Sequence, residues 1–146
     1  MSIETDIALL ERVPTLRLLG TPALRMLAIG SEQRDFAYGD YLFSAGDDAD
    51  AGFIVQRGAF RVEDGGAEVI AGPGSLIGEL AMIVAMRRPS SAVAIENSSV
   101  IRVARSLFQR VLESDPDAAR RLRDELATRT SQLASDILIA GAKLNI

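Results

Sequence analysis

The clearest chemical grammar in this chain is Gly78-Glu79-Leu80-Ala81, followed nine positions after the glutamate by Arg88. A glycine that opens a short helix permits close approach of a ligand to the backbone. The first helical amides, those of Leu80 and Ala81, have no acceptor inside the helix and present a positive dipole end, a ready anion site. An arginine returning behind the helix can grip the same anion with its bidentate fork. Glu79 would repel that anion unless the ligand also carried hydroxyl donors beside it. The set therefore asks for a phosphate with neighbouring hydroxyls, as in a nucleotide sugar phosphate. An inorganic anion would leave Glu79 unexplained.

The same inventory argues against catalysis. Among its 146 residues the chain has no His and no Cys, so the usual general base, the commonest metal ligand and any thiolate are missing. A small hydrolase or isomerase built on Glu79 finds no legible nucleophile or base partner. The expectation is a binding protein, not an enzyme, with no metal and no cofactor. A formal net charge of −4 argues against a nucleic-acid surface. The local basic groups, Arg102 with Arg105 and Arg120, Arg121 and Arg123, read as solvated faces. The first residues carry Glu4, Asp6 and Glu11 with no basic-then-apolar run, and no apolar stretch is long enough to cross a bilayer. A cytoplasmic chain with no membrane partner is expected.

Three zones must position these residues, within a single domain over 1–146. From 3 to 30, apolar residues recur at helical spacing, broken at Pro14 and Gly20; Thr21-Pro22 reads as an N-cap followed by a first helical residue. From 32 to 104 the period changes. Short β-branched and aromatic segments alternate with Gly-Asp and Gly-Gly breaks, the pattern of an all-β sandwich or roll. Glu79 to Met86 resists this pattern and reads as one or two helical turns inserted into the roll. From 105 to 141 the chain is helical again: Ser106 with Gln109 suggests a capping box, and Asp115-Pro116 restarts a second helix that ends near Gly141. The apolar stripe of that helix runs Ala119, Leu122, Leu126, Leu133, Ile137 and Ala140. It is longer than a small roll needs, so pairing with a second copy through this helix is expected.

The string GSLIGELAMIVAMRRPSSAVA, residues 74–94, resembles the phosphate-binding cassette of cyclic nucleotide-binding domains, the family of catabolite activator proteins and protein kinase A regulatory subunits. The helical lead-in, Gly39-Asp40, Gly46-Asp47, Gly58 and the closing helix pair conform to it over roughly residues 5 to 130. The resemblance implies a mainly β fold: a double-stranded β-helix, or jelly-roll-like β-roll of eight strands. It has N-terminal helices, an inserted cassette (74–92) with its helix, and two C-terminal helices. It also implies roles. Gly78 and Glu79 would hold the ribose, Glu79 accepting from the 2′-hydroxyl; Arg88 would pair with the cyclic phosphate, helped by the amides of Leu80 and Ala81.

The chain departs from the family around the arginine, with Arg87 where a Pro is usual and Pro89 where a small residue normally donates its N–H to the phosphate. Pro has no N–H, so a hydroxyl of Ser90 or Ser91 would stand in. With no hydroxyl directly after Arg88, cAMP is the expected ligand and cGMP the second candidate. The resemblance thus implies a regulatory or sensor module that acts through an effector protein. Few residues follow the last helix, so no helix-turn-helix and no direct DNA binding are expected. Cupins share the roll but use His-rich metal sites, which the absence of His excludes. The rival reading, which Pro89 feeds, is a ligand-free dimerisation domain that keeps the roll as a scaffold.

Overall fold

Ser2 starts the first helix, its Oγ accepting the amide of Thr5 at 3.1 Å, and Glu4 and Asp6 sit in the first turn, where carboxylates favour the helix dipole. The structure, a computed structural model, describes residues 2–64 and 66–129. Three helices lead in: α1 (Ile3–Glu11), α2 (Pro14–Arg17) and α3 (Thr21–Gly30). Pro14 opens α2 at its first position, where a missing N–H is harmless. Thr21, expected as a cap, is already helical; Gly20 holds the N-cap position at φ +85°, because the chain must reverse there.

Among the described residues ten strands follow: β1 (Glu32–Phe36), β2 (Tyr41–Phe43), β3 (Asp48–Ala49), β4 (Ala51–Arg57), β5 (Phe60–Asp64), β6 (Ala67–Ala71), β7 (Leu76–Ile77), β8 (Met86–Arg87), β9 (Ala92–Ala94) and β10 (Ser98–Ala104). Eight of them form two four-stranded antiparallel sheets, β1-β10-β4-β7 and β2-β9-β5-β6, while β3 and β8 pair separately. This is the expected mainly β roll with flanking helices. β3, β7 and β8 are each only two residues long, too short for the sequence to show a period there.

The alternation along β4 and β10 explains the layering. Phe53, Val55 and Val100 join Phe60, Ala71, Ile77 and Ala94 in a core between the two sheets. Ile54, Ile101 and Val103 point the other way, into a second core with α1, α3 and α4 (Arg105–Ser114). Central strands buried on both faces read as continuous apolar runs.

β10 runs directly into α4, which begins at Arg105 with Ala104 as an uncapped N-cap. The Ser106–Gln109 capping box is therefore absent. Tertiary bonds fix the helix start instead: the Arg105 amide donates to the Asp50 carbonyl at 2.7 Å, and its guanidinium is anchored as described below. The last helix, described from 116 to 129, has the expected cap, with Asp115 Oδ1 accepting the Ala118 amide at 3.1 Å. Ala118 and Leu122 are buried in the helix-side core and Leu126 packs on it, so this half of the stripe is covered by its own chain. Arg121 clasps the α2–α3 corner, donating to the carbonyls of Leu18 and Leu19, both at 2.7 Å. Leu133, Ile137, Ala140 and Gly141 lie outside the described residues.

One glycine of the roll is hemmed in by backbone. Gly58, at φ +82° between β4 and β5, would place a Cβ 2.6 Å from the Asn97 carbonyl oxygen and 2.7 Å from Ser98 Cα. Both are backbone atoms that cannot move aside. Gly58→Ala is expected to lose about 2–4 kcal/mol of unfolding free energy from combined strain and overpacking, measured as a lower urea midpoint at unchanged slope.

Candidate ligand-binding site

The cassette is built on the backbone of β4. Gly52 has no side chain because Met82 lies against it: a Cβ there would stand 2.8 Å from Met82 Cγ and 2.9 Å from its sulfur. Met82 and Ala81 are buried, and they pin the short 3₁₀ helix Glu79–Met82 to the sheet. Arg105 holds the other side, its Nη1 reaching the carbonyls of Ala49 at 2.9 Å, Val84 at 3.1 Å and Ala81 at 3.2 Å. One guanidinium thus ties the cassette to β3 and to α4.

Gly78 caps this helix in the left-handed region, φ +77° and ψ +37°. It also has no room for a Cβ, which would meet Arg88 Nη1 at 2.6 Å. Arg88 lies directly beneath, 6% exposed. Its guanidinium stacks on Phe43 at 4.2 Å and approaches Phe53 at 5.4 Å; Nη2 donates to the Ala51 carbonyl at 2.8 Å, and buried Nε has no acceptor. The Arg88 backbone is pinned as well, its amide donating to the Asp47 carbonyl at 2.7 Å and its carbonyl accepting the Gly46 amide at 2.8 Å. Burial lowers the guanidinium below its usual pKa; Asp50 and Asp47 oppose the shift and Arg102 adds to it. Among the described residues no carboxylate comes within ion-pair distance of Arg88. Arg102 takes Asp50 at 3.1 Å and Glu32 at 3.8 Å instead. A buried cation with an idle donor beside a glycine is a seat prepared for an anion.

A cavity of about 290 Å³ opens beside this seat, lined by Val62, Val69, Ile70, Ser75, Gly78 and Ser90 among others. β5 and β6 contribute Val62, Val69, Ile70 and Ala71 together with the carboxylate-bearing Glu63, and the cassette contributes Ser75, Leu76, Ile77, Gly78 and Ser90. The other expected site residues distribute unevenly. Ser90 faces the cavity, whereas the Ser91 hydroxyl oxygen accepts the Ala45 amide at 2.8 Å. The Ala81 amide, expected to be free, donates to the Gly78 carbonyl at 3.1 Å, because the helix is 3₁₀ and closes one residue earlier than an α-helix. Leu80 keeps its side chain exposed. Glu79 does not line the cavity; its Oε1 accepts the Thr15 hydroxyl at 2.6 Å and lies 3.5 Å from Arg129 Nη1.

Sequence reasoning missed Phe43, Thr15, Arg105 and Arg129. Nothing in their type or sequence spacing marks Phe43 and Arg129 as site residues; only the fold brings them to Arg88 and to Glu79. Arg102 and Arg105 are also no solvated face: their charges are committed to carboxylates and carbonyls that only the folded chain brings near.

A family model described as "Cyclic nucleotide-binding domain" matches residues 33–115. Among solved structures, a cyclic nucleotide-binding-like protein from Brucella abortus is 35% identical, with TM-score 0.65 over 74% of this chain and 97% of that one. The N-terminal domain of a transcriptional regulator from Streptomyces coelicolor shares the fold at TM-score 0.80 and 24% identity, covering 88% of this chain and 94% of that one. Among curated relatives, an uncharacterized NTE family protein of Mycobacterium bovis is 32% identical over 73% of this chain and 19% of its own length. A lysophospholipase of Neurospora crassa is 28% identical over 94% of this chain. The chain spans only 9% of that relative's length.

The geometry of the seat predicts opposite stabilities for two variants. Arg88→Met removes a buried cation and the desolvation cost of keeping it there, and should melt at or above the wild-type temperature. Gly78→Ala meets both the positive φ and the guanidinium, and should melt several degrees lower. Differential scanning calorimetry of the two variants beside the wild type checks this.

Proposed function

The chain belongs to the cyclic nucleotide-binding domain family, and on that premise we propose that it is a cAMP-preferring regulatory module that passes its occupancy to an effector protein. The observation that carries this reading is Arg88: buried, stacked on Phe43, without a carboxylate partner among the described residues and lying under Gly78. The cyclic phosphate would accept from its guanidinium at the mouth of the cavity, and the base would lie along Val62, Val69 and Ile70. Preference for cAMP rests on the exposed Pro89, which offers no hydroxyl beside Arg88 for a guanine. Binding rather than catalysis fits a site built around Arg88 in a chain with no His or Cys to serve as base or nucleophile.

The effector belongs to the proposal as well, and so do the cytoplasmic setting and a homodimer formed through the C-terminal helix. Of the stripe expected to pair there, Leu133 and Ile137 lie outside the described residues. A roll kept only as a scaffold is the rival, and the same experiment separates the two.

Titration calorimetry and thermal melts with cAMP and cGMP test the reading. At a hundredfold excess over Kd, a bound ligand adds about 2.7 kcal/mol, which should raise the melting temperature of a chain this size by roughly 8 °C. cAMP should produce this shift, cGMP a smaller one at equal concentration, and Arg88→Met none. No heat and no shift with millimolar cAMP would leave the scaffold reading standing.

Pro89 supplies a second test. It cannot donate to the phosphate, and Ser90, at the cavity edge, is the hydroxyl that would partly replace it. Pro89→Ala restores an amide and should tighten cAMP binding about tenfold, the equivalent of 1.4 kcal/mol. An unchanged affinity would mean that the phosphate is already fully satisfied.

A further inference from the structure

Glu79 is the residue whose position fits the proposed ligand least, and its surroundings give a reason. Three groups from distant parts of the chain close on one another. The Thr15 hydroxyl on α2 donates to Glu79 Oε1 at 2.6 Å, Arg129 Nη2 on the last helix donates to Thr15 Oγ1 at 3.0 Å, and Arg129 Nη1 lies 3.5 Å from Glu79 Oε1. Thr15 is 4% exposed, so its hydroxyl has been taken from water and relies on this triangle. Gly78 and Ser90 line the cavity, whereas neither Glu79 nor Arg88 is among its lining residues. The Glu79 carboxylate is turned toward the helices.

We propose that Thr15 and Arg129 form a latch that competes with a ligand hydroxyl for the Glu79 carboxylate, so that ligand binding frees the last helix from α2. The inference rests on the reading that the cavity takes a cyclic nucleotide. A sugar hydroxyl in the cavity would draw the carboxylate away from the helices, and a hydroxyl donating to Oε1 would displace the Thr15 hydroxyl that Oε1 now accepts from. Arg129 then keeps only its pairing with Glu125, at 3.3 Å within its own helix, and nothing polar joins that helix to the cassette through Glu79. Coupling of this kind is reciprocal. If the ligand opens the latch, the latch weakens the ligand, and it does so only for a ligand that carries the competing hydroxyl.

The test compares cAMP with 2′-deoxy-cAMP by titration calorimetry on the full chain. Thr15→Val, nearly isosteric, should tighten cAMP about fivefold or more and leave 2′-deoxy-cAMP within about twofold of wild type. Thr15→Ser keeps the hydroxyl and should match wild type with both ligands. Arg129→Gln, at an exposed position that does not endanger folding, should act in the same direction as Thr15→Val. Amide exchange over 116–129 should quicken on adding cAMP and stay unchanged with 2′-deoxy-cAMP.

Equal tightening of both ligands would overturn the hydroxyl competition, since the triangle would then be closing the site to any ligand. Weaker cAMP binding in Thr15→Val would reverse the sign and make Thr15 a positioning residue that helps Glu79. Variants identical to a cAMP-binding wild type would sink the latch alone. A folded wild type that binds neither nucleotide would remove the proposed function, and the latch with it.

Discussion

A guanidinium taken out of water without a carboxylate partner is a costly arrangement, and much of this fold is organised to enforce one. Phe43 gives Arg88 a face to stack on and Ala51 gives it one carbonyl. The loop at Gly46 and Asp47 fixes its backbone from both sides. Gly78 removes the side chain that would otherwise displace it. The competing carboxylates are held elsewhere: Asp50 and Glu32 pair with Arg102, and Glu79 with Thr15 and Arg129. The charge is thereby kept desolvated and unpaired at Nε, the condition under which an arriving phosphate gains most from it.

The layered core makes that arrangement rigid. β4 presents Phe53 to the inter-sheet core and Ile54 to the helices on successive residues. At Gly52 it also lets Met82 settle on its backbone. The cassette therefore rides on a strand buried on both faces, while Arg105 binds it to the start of α4. A change in the cassette would be felt at both helical ends of the chain, through Arg105 at α4 and through Glu79 at α2 and the last helix. That two-sided attachment is the route by which the proposed regulatory role would act.

The sequence made some of this legible and could not have shown the rest. The roll was readable because Gly-rich turns punctuate segments such as Phe53-Ile54-Val55 and Val100-Ile101, and the cassette because Gly78, Glu79 and Arg88 keep a chemically meaningful spacing. Helix starts were less readable. Asp115 caps as its type suggests, but Gly20 displaces Thr21, and Arg105 makes the Ser106 capping box unnecessary, since long-range bonds outweigh a local preference worth about 1 kcal/mol. The two-residue strands carry no periodicity at all. The Ala81 amide was misjudged because spacing cannot tell a 3₁₀ turn from an α turn. Glu79 was read by its neighbours in sequence, whereas its actual partners lie 64 and 50 residues away.

The central claim is that the idle Arg88 Nε–H receives a ligand phosphate. Nitrogen-15 correlation spectra of the arginine Nε–Hε groups, with the Arg88 resonance identified by its loss in Arg88→Met, observe that group directly. On titration with cAMP the resonance should move downfield to a new position as a charge-assisted hydrogen bond forms. An Arg88 Nε–Hε signal that stays in place while cAMP demonstrably binds would contradict the account.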